Sequence, residues 1–193
     1  MSHTLEPAPP SSRPPVWSLP NQVTSARVAL TIVLFVCMSF RRFDAAFVLF
    51  VLAASTDWLD GYFARRYGLV TQLGRILDPF ADKLIICGTL IFLAAVPESR
   101  VTAWMAVLVM ARELLVTALR SFLEQQGRDF SAEMSGKLKM VFQCIAAGSS
   151  LFYLAWQPTW LIVPLDVCIW IALALTVYSG ATYVQRALRL ASE

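Results

Sequence analysis

Six apolar stretches, each close to the length of a bilayer crossing, set the pattern of this chain: residues 21–40, 43–66, 76–96, 101–123, 137–156 and 160–185. Polar breaks separate them at Arg41–Arg42, Gly68–Gly74, Pro97–Arg100, Glu124–Ser135 and Gln157–Thr159. A helix rises 1.5 Å per residue, so crossing the hydrocarbon takes about 20 residues. The pattern therefore predicts an all-α integral membrane protein of six transmembrane helices, and its short connections predict an up-and-down bundle. No internal repeat, sustained heptad or second soluble domain interrupts it. Residues 1–20 carry six of the ten prolines, at positions 7, 9, 10, 14, 15 and 20. Such a segment cannot form a continuous helix or bury a core. The expected division is a disordered proline-rich cytoplasmic tail, 1–20, and a six-helix transmembrane domain, 21–193. Arg27 followed by Val28–Phe40 has the outline of a signal peptide, but Arg41 and Arg42 follow without a small-residue cleavage site, so an uncleaved first span is expected.

Composition agrees with a bilayer as solvent: 58% of residues are hydrophobic, 15% are charged, and the mean hydropathy is +0.62. The formal net charge of +3 is too slight to argue for nucleic acid. Its distribution is more telling. With the N-terminus in the cytoplasm, Arg65, Arg66, Arg75, Arg128, Lys137, Lys139, Arg186 and Arg189 lie inside, against Arg41, Arg42 and Arg100 outside, as the positive-inside rule requires. The four cysteines, Cys37, Cys87, Cys144 and Cys168, all fall in apolar runs without CxxC spacing and read as packing residues. The single histidine, His3, lies in the tail. This removes histidine-based zinc, triad and general-base chemistry and leaves proton transfer to carboxylates, lysines or hydroxyls. Gly88, Gly148 and Gly180, inside the spans, read as close-packing positions.

Four aspartates stand out against this background. Asp57 and Asp60 close the second span, and Asp78 and Asp82 open the third. On a helix, positions 57, 60, 61, 64 and 65 share a face, and 78 and 82 lie one turn apart. An aspartate inside a membrane helix costs about 3 kcal/mol on insertion scales. Four together need a cation or a water-filled site to offset their repulsion. Oxygen-only ligation favours hard ions, Mg²⁺ or Mn²⁺, over zinc. Any one of these acids could be a solvated helix-end charge; the whole set, spaced around Gly61, Ala64, Arg65 and Gly74, is poorly explained that way. An EF-hand is excluded because its D-x-D-x-D-G spacing and closing glutamate are missing. An ion or proton transporter is the rival of a different class. It should carry polar groups through both halves of the bilayer, whereas the outer halves hold little beyond Asp44, Glu98 and Asp166.

The run Asp57-x₂-Asp60-Gly61-x₂-Ala64-Arg65-x₈-Gly74-x₃-Asp78-x₃-Asp82 resembles the signature of the CDP-alcohol phosphotransferases at every specified position. The resemblance implies six transmembrane helices and a cytosol-facing site for two metal ions. It also implies transfer of a substituted phosphoryl group from a CDP-linked donor to an alcohol, with CMP leaving. In that family Asp57, Asp60 and Asp78 would bind metal, and Asp82 would complete the dimetal site and act as base. The residue chemistry is compatible. Two metals can neutralise a diphosphate and its departing CMP, and an edge carboxylate can accept the proton of the attacking hydroxyl. Thr24, Gly61, Arg65 and Gly74 would hold the CDP group, Gly61 by leaving room for close approach and Arg65 through its guanidinium fork.

Three further motifs narrow the resemblance to the phosphatidylglycerophosphate synthases. Pro20-Asn21-x₂-Thr24-x₂-Arg27 is similar to their P-N-x-x-T-x-x-R opening, Arg112-Glu113-x₆-Arg120 to their R-E-x₆-R helix, and Gly136-Lys137-x-Lys139 with Gln143 to the start of their fifth span. The resemblance covers residues 19 to about 143. Arg112, Lys137 and Lys139 within apolar runs would be costly unless they face a polar cavity. A basic pocket beside a metal site suits an acceptor that is itself a phosphate ester. Arg27, Arg112, Arg120, Lys137 and Lys139 are therefore the expected acceptor-phosphate residues. The competing readings are an Arg112–Glu113 ion pair, snorkelling of Arg120, Lys137 and Lys139 to the interface, and a plain helix-cap role for Thr24. The expected donor is CDP-diacylglycerol and the expected acceptor glycerol 3-phosphate, with membrane lipids as surroundings. A cardiolipin synthase of the same family, using phosphatidylglycerol, is the nearest alternative. The family also implies a homodimer.

Overall fold

The computed structural model describes the backbone of residues 19–67, 72–125 and 134–191, with side chains chiefly over 24–56, 80–123 and 138–189. Among the described residues the chain is all helical, with six long helices: α1 (Leu19–Ser39), α2 (Phe43–Tyr67), α3 (Gln72–Ala94), α4 (Ala103–Gln125), α5 (Met134–Trp156) and α6 (Ile162–Ala191). Single 3₁₀ turns, Pro97–Ser99 and Thr159–Leu161, precede α4 and α6.

The expected segments reappear with shifted ends. Leu19 and Pro20, assigned to the tail, open α1; the rest of the expected tail, 1–18, lies outside the described residues. Proline is tolerated there because the first-turn N–H has no helical acceptor. Gly74, assigned to a turn, lies two residues into α3, because Leu73, Ile76 and Leu77 carry the apolar spacing back past it. α6 runs beyond its expected limit at 185 and takes Arg186 and Arg189 with it.

The turn between α1 and α2 shows how the connections stay short. Arg41 takes φ 55°, and the amides of Arg41 and Arg42 donate to the carbonyls of Met38 (3.0 Å) and Cys37 (2.9 Å). This is the Schellman pattern that satisfies the last carbonyls of a helix. Two ion pairs sit at the same end of the bundle: Arg42–Asp44 at 3.3 Å, and Arg100 from the α3–α4 connection to Asp166 on α6. Two of the three arginines counted as outer charges are thus paired locally.

The main core includes Leu34, Phe50, Ile86, Leu93, Leu151 and Leu165, and a smaller cluster of Val116, Leu123, Tyr183 and Ala187 joins α4 to α6. Cys37, Cys144 and Cys168 pack against the main core, none of them in a disulfide. Glycines let helices approach. A Cβ on Gly88 of α3 would lie 2.1 Å from Phe35 Cζ of α1, and the Phe35 ring stacks on Phe92 at 5.1 Å. Gly88→Ala must therefore displace a packed ring; a stability loss of about 1–3 kcal/mol is expected. Denaturation of purified protein in micelles checks this, and an unchanged midpoint would contradict the packing.

The outside of the bundle is equally apolar. Val163, Leu188 and Val107 are 70%, 67% and 58% exposed, a degree of apolar exposure that marks contact with another apolar phase. Among the described residues two helices, Leu138–Trp156 and Thr159–Arg189, are long and apolar enough to cross a membrane; Thr24–Ser39 and Phe43–Thr56 are shorter apolar stretches. Trp104, Trp156, Trp160 and Trp170 are exposed toward the end that carries Arg100 and Asp166, the arrangement of an interfacial aromatic belt.

Candidate functional site

The aspartate motif occupies the facing ends of α2 and α3. Asp57, Asp60, Gly61 and Arg65 lie on the last turns of α2, and Gly74, Asp78 and Asp82 on the first turns of α3. Helical backbone at all seven positions gives the one-face spacing inferred from sequence. Only residues 68–71 separate the helices, so both acidic ends belong to the same end of the bundle. The side chains of Asp57, Asp60, Arg65 and Asp78 lie outside the described residues. Among the described residues no three metal-type side chains cluster, and Asp82 is the one member of the set whose carboxylate is described.

Asp82 identifies its neighbour. Its Oδ1 accepts a hydrogen bond from Arg27 Nη1 of α1 at 2.9 Å; the arginine is 2% exposed and the carboxylate 31%. Arg27 continues a buried polar stripe on α1 with Thr24 and Thr31, and Thr31 Oγ1 donates to the Arg27 carbonyl at 2.8 Å. α1 and α3 run parallel, since Arg27 meets Asp82 near their starts and Phe35 meets Gly88 further along. Thr24 and Arg27 thereby reach the edge of the aspartate motif. The donor set fits divalent metal: four carboxylates, no nitrogen or sulfur, and a partly exposed Asp82 able to exchange its arginine for an ion.

A second polar centre joins α4, α5 and α6. Glu113 Oε1 accepts hydrogen bonds from Arg112 Nη1 at 3.2 Å and from Lys139 Nζ. The other arm of Arg112 donates to Ser179 Oγ on α6, and its guanidinium lies 5.5 Å from the centre of the Tyr183 ring. Small residues admit this arrangement: a Cβ at Gly180 would lie 3.2 Å from Arg112 Cγ, and one at Gly136 would lie 3.4 Å from the Tyr183 hydroxyl. One turn along α5, Gln143 Nε2 donates to Thr176 Oγ1 at 2.9 Å. Cys87, five residues past Asp82 on α3, lies within electrostatic reach of Glu113 and Lys139, so the basic centre borders the helix that carries the aspartates.

The expected acceptor residues therefore divide. Arg112 and Lys139 converge, Arg27 joins Asp82 instead, and Arg120 is half-buried one helical stretch further along α4, with its Nε buried and unbonded among the described residues. The side chain of Lys137 lies outside them. The Arg112–Glu113 ion pair, the competing reading for Arg112, is present. Lys139 does not snorkel to the interface but is buried against Glu113. The sequence pointed to Glu113 only as an ion-pair partner of Arg112, and it gave no role to Ser179 or Tyr183. The last two stand four apart in an apolar run, a spacing that signals a shared helix face.

The family profile for CDP-alcohol phosphatidyltransferases matches residues 17–178. The chain belongs to that family. Three relatives, each named CDP-diacylglycerol–glycerol-3-phosphate 3-phosphatidyltransferase, illustrate its place within the CDP-alcohol phosphatidyltransferases. The protein of Bacillus subtilis (strain 168) is 36% identical over 192 residues, covering 89% of this chain and 95% of the relative. That of Rickettsia typhi is 35% identical over 178 residues, covering 86% and 94%, and that of Escherichia coli (strain K12) is 31% identical over 178, covering 89% and 95%. In fold, the chain is similar to the crystal structure of the Mycobacterium tuberculosis phosphatidylinositol phosphate synthase with CDP-DAG bound. The TM-score is 0.63 at 20% identity, over 89% of this chain and 87% of that one. The chain is thus a phosphotransferase of the CDP-alcohol phosphatidyltransferase family, and its apolar helices agree with a membrane enzyme.

Proposed function

We propose that this chain transfers the phosphatidyl group of CDP-diacylglycerol to sn-glycerol 3-phosphate, releasing CMP and phosphatidylglycerol phosphate, a step of phospholipid biosynthesis. The observation that carries the choice of acceptor is the buried Arg112–Lys139 centre. Glu113 offsets only one of these two buried cations, and a phosphate ester supplies the further negative charge that the centre lacks. The names of the three relatives support the same reaction.

In this reading all six long helices cross the bilayer, and the aspartate-bearing ends of α2 and α3 face the cytoplasm. The larger number of arginines and lysines at the aspartate-bearing end than at the end with Arg41, Arg42 and Arg100 supports that sidedness. Asp57, Asp60, Asp78 and Asp82 would hold two Mg²⁺ or Mn²⁺ ions; when bound, these supply charge neutralisation for the diphosphate and the departing CMP. Thr24, Gly61, Arg65 and Gly74 hold the CDP group. Arg112 and Lys139 receive the acceptor phosphate, with Arg120 and Lys137 as further candidates on the same two helices, while Arg27 stands beside Asp82. A hydroxyl of glycerol 3-phosphate attacks the phosphorus that bears diacylglycerol, Asp82 takes the hydroxyl proton, and the bond to the CMP oxygen breaks. A homodimer belongs to the same reading.

The test is transfer of label. Purified protein in micelles containing CDP-diacylglycerol and Mg²⁺ should carry radiolabelled glycerol 3-phosphate into the lipid phase, one label per CMP released. Label that stays in the aqueous phase while the protein is folded would refute the assignment.

A further inference from the structure

Glu113 is an acid whose two charged partners are both cations. Its Oε1 is shared between Arg112 and Lys139, from two different helices, and the three side chains are 13%, 9% and 5% exposed. The trio carries two positive charges and one negative. Arg112 Nε and Arg120 Nε are, in addition, buried donors without a hydrogen-bond partner among the described residues. Buried donors of this kind are normally satisfied, so Arg112 Nε, which belongs to the trio, points to an acceptor that arrives with a ligand. A phosphate monoester carries about −1.5 to −2 charge near neutral pH. It could not share so small a volume with the Glu113 carboxylate without strong repulsion.

The contacts of the three residues indicate which of them can yield. Arg112 is fixed from α6 by Ser179 and by the Tyr183 ring, and Gly180 packs on its stem. The only hydrogen bonds described for the Glu113 carboxylate are those to Arg112 and Lys139. Consecutive residues on a helix do not share a face, so Glu113 can rotate outward while the backbone of α4 and the head of Arg112 stay in place. We propose that Glu113 is the built-in counter-anion of the acceptor pocket: one carboxylate oxygen stands where a phosphoryl oxygen of the acceptor will bind, and acceptor binding exchanges one anion for the other. Glu113 is then a positioning and specificity-determining residue. It keeps Arg112 and Lys139 aligned when the pocket lacks substrate, and it sets a threshold that only a multiply charged headgroup overcomes. This rests on the proposed acceptor chemistry and adds to it a cost on binding.

The experiment uses the full chain in detergent micelles, the variants Glu113→Gln and Glu113→Asp, and two probes, sn-glycerol 3-phosphate and inorganic phosphate. Without its counter-anion, Glu113→Gln should unfold at a lower temperature than the unsubstituted chain, and both probes should raise its Tm by more than they raise that of the unsubstituted chain. At saturating CDP-diacylglycerol, KM for glycerol 3-phosphate should fall about threefold to tenfold. Glu113→Asp, whose shorter arm cannot hold both cations, should move KM the same way by less, and it decides the question if the glutamine variant does not fold. A KM that is unchanged or raised, with equal Tm responses to the probes, overturns the exchange; a purely structural ion pair would behave so. If the unsubstituted chain neither turns over glycerol 3-phosphate nor is stabilised by it, the acceptor assignment is what fails. The inorganic phosphate comparison then still decides whether Glu113 competes with an anion.

Discussion

Replacing Asp82 by asparagine is expected to lower CMP release by about 10³-fold, within the range that a positioned general base contributes and with a metal ligand lost as well. The substitution preserves shape, and an amide oxygen can still accept the hydrogen bond from Arg27 Nη1 that Oδ1 accepts at 2.9 Å. What disappears is the negative charge and the ability to take a proton. Removing one partner of a fully buried ion pair costs about 3–5 kcal/mol, but the Asp82 carboxylate is 31% exposed, so a smaller loss of stability is expected. Asp44→Asn is the matched control. It breaks an exposed pair with Arg42 at the opposite end of the bundle and should leave CMP release within about twofold. Asp82→Asn retaining more than about a tenth of the activity would remove Asp82 from its assigned role.

The second large effect is loss of metal. In the proposed site the four aspartates offer only oxygen, and divalent ions would relieve their mutual repulsion at the ends of α2 and α3. Chelation should therefore stop CMP release completely, and Mg²⁺ or Mn²⁺ added in excess of the chelator should restore it. Asp57→Ala should stay inactive under the same restoration, because a missing ligand is not replaced by more ion. Elemental analysis alongside the assay makes the result decisive: full activity in protein stripped below about one metal per ten chains would contradict the site. An ion transporter using the same acids would release no CMP under any of these conditions.

The helices were legible because the bilayer imposes a coarse rule, length and apolarity, that survives small errors at the ends. The ends moved where local chemistry was finer than that rule, as at Pro20, which a first turn accepts, and Gly74, which the apolar spacing of Leu73, Ile76 and Leu77 draws into α3. The aspartate motif could be read without the fold since its residues are close in sequence and their spacing alone gives shared faces. The basic centre was half legible. Arg112 and Lys139 announced themselves as charges in apolar runs, but their contacts depend on how α4, α5 and α6 are rotated against one another. No local pattern encodes that Ser179 and Tyr183 face Arg112, or that Glu113 is shared between helices. Arg27 shows the same limit: it read as an acceptor residue, while its position beside Asp82 follows from the parallel packing of α1 on α3.

The account stands most directly on the acceptor. Purified protein supplied with CDP-diacylglycerol and Mg²⁺ should be given glycerol 3-phosphate, phosphatidylglycerol or inositol in separate reactions, and the lipid products separated and weighed. Phosphatidylglycerol phosphate formed from glycerol 3-phosphate, with equimolar CMP and no product from the other two, is the predicted result. Cardiolipin formed from phosphatidylglycerol, with no product from glycerol 3-phosphate, would contradict it.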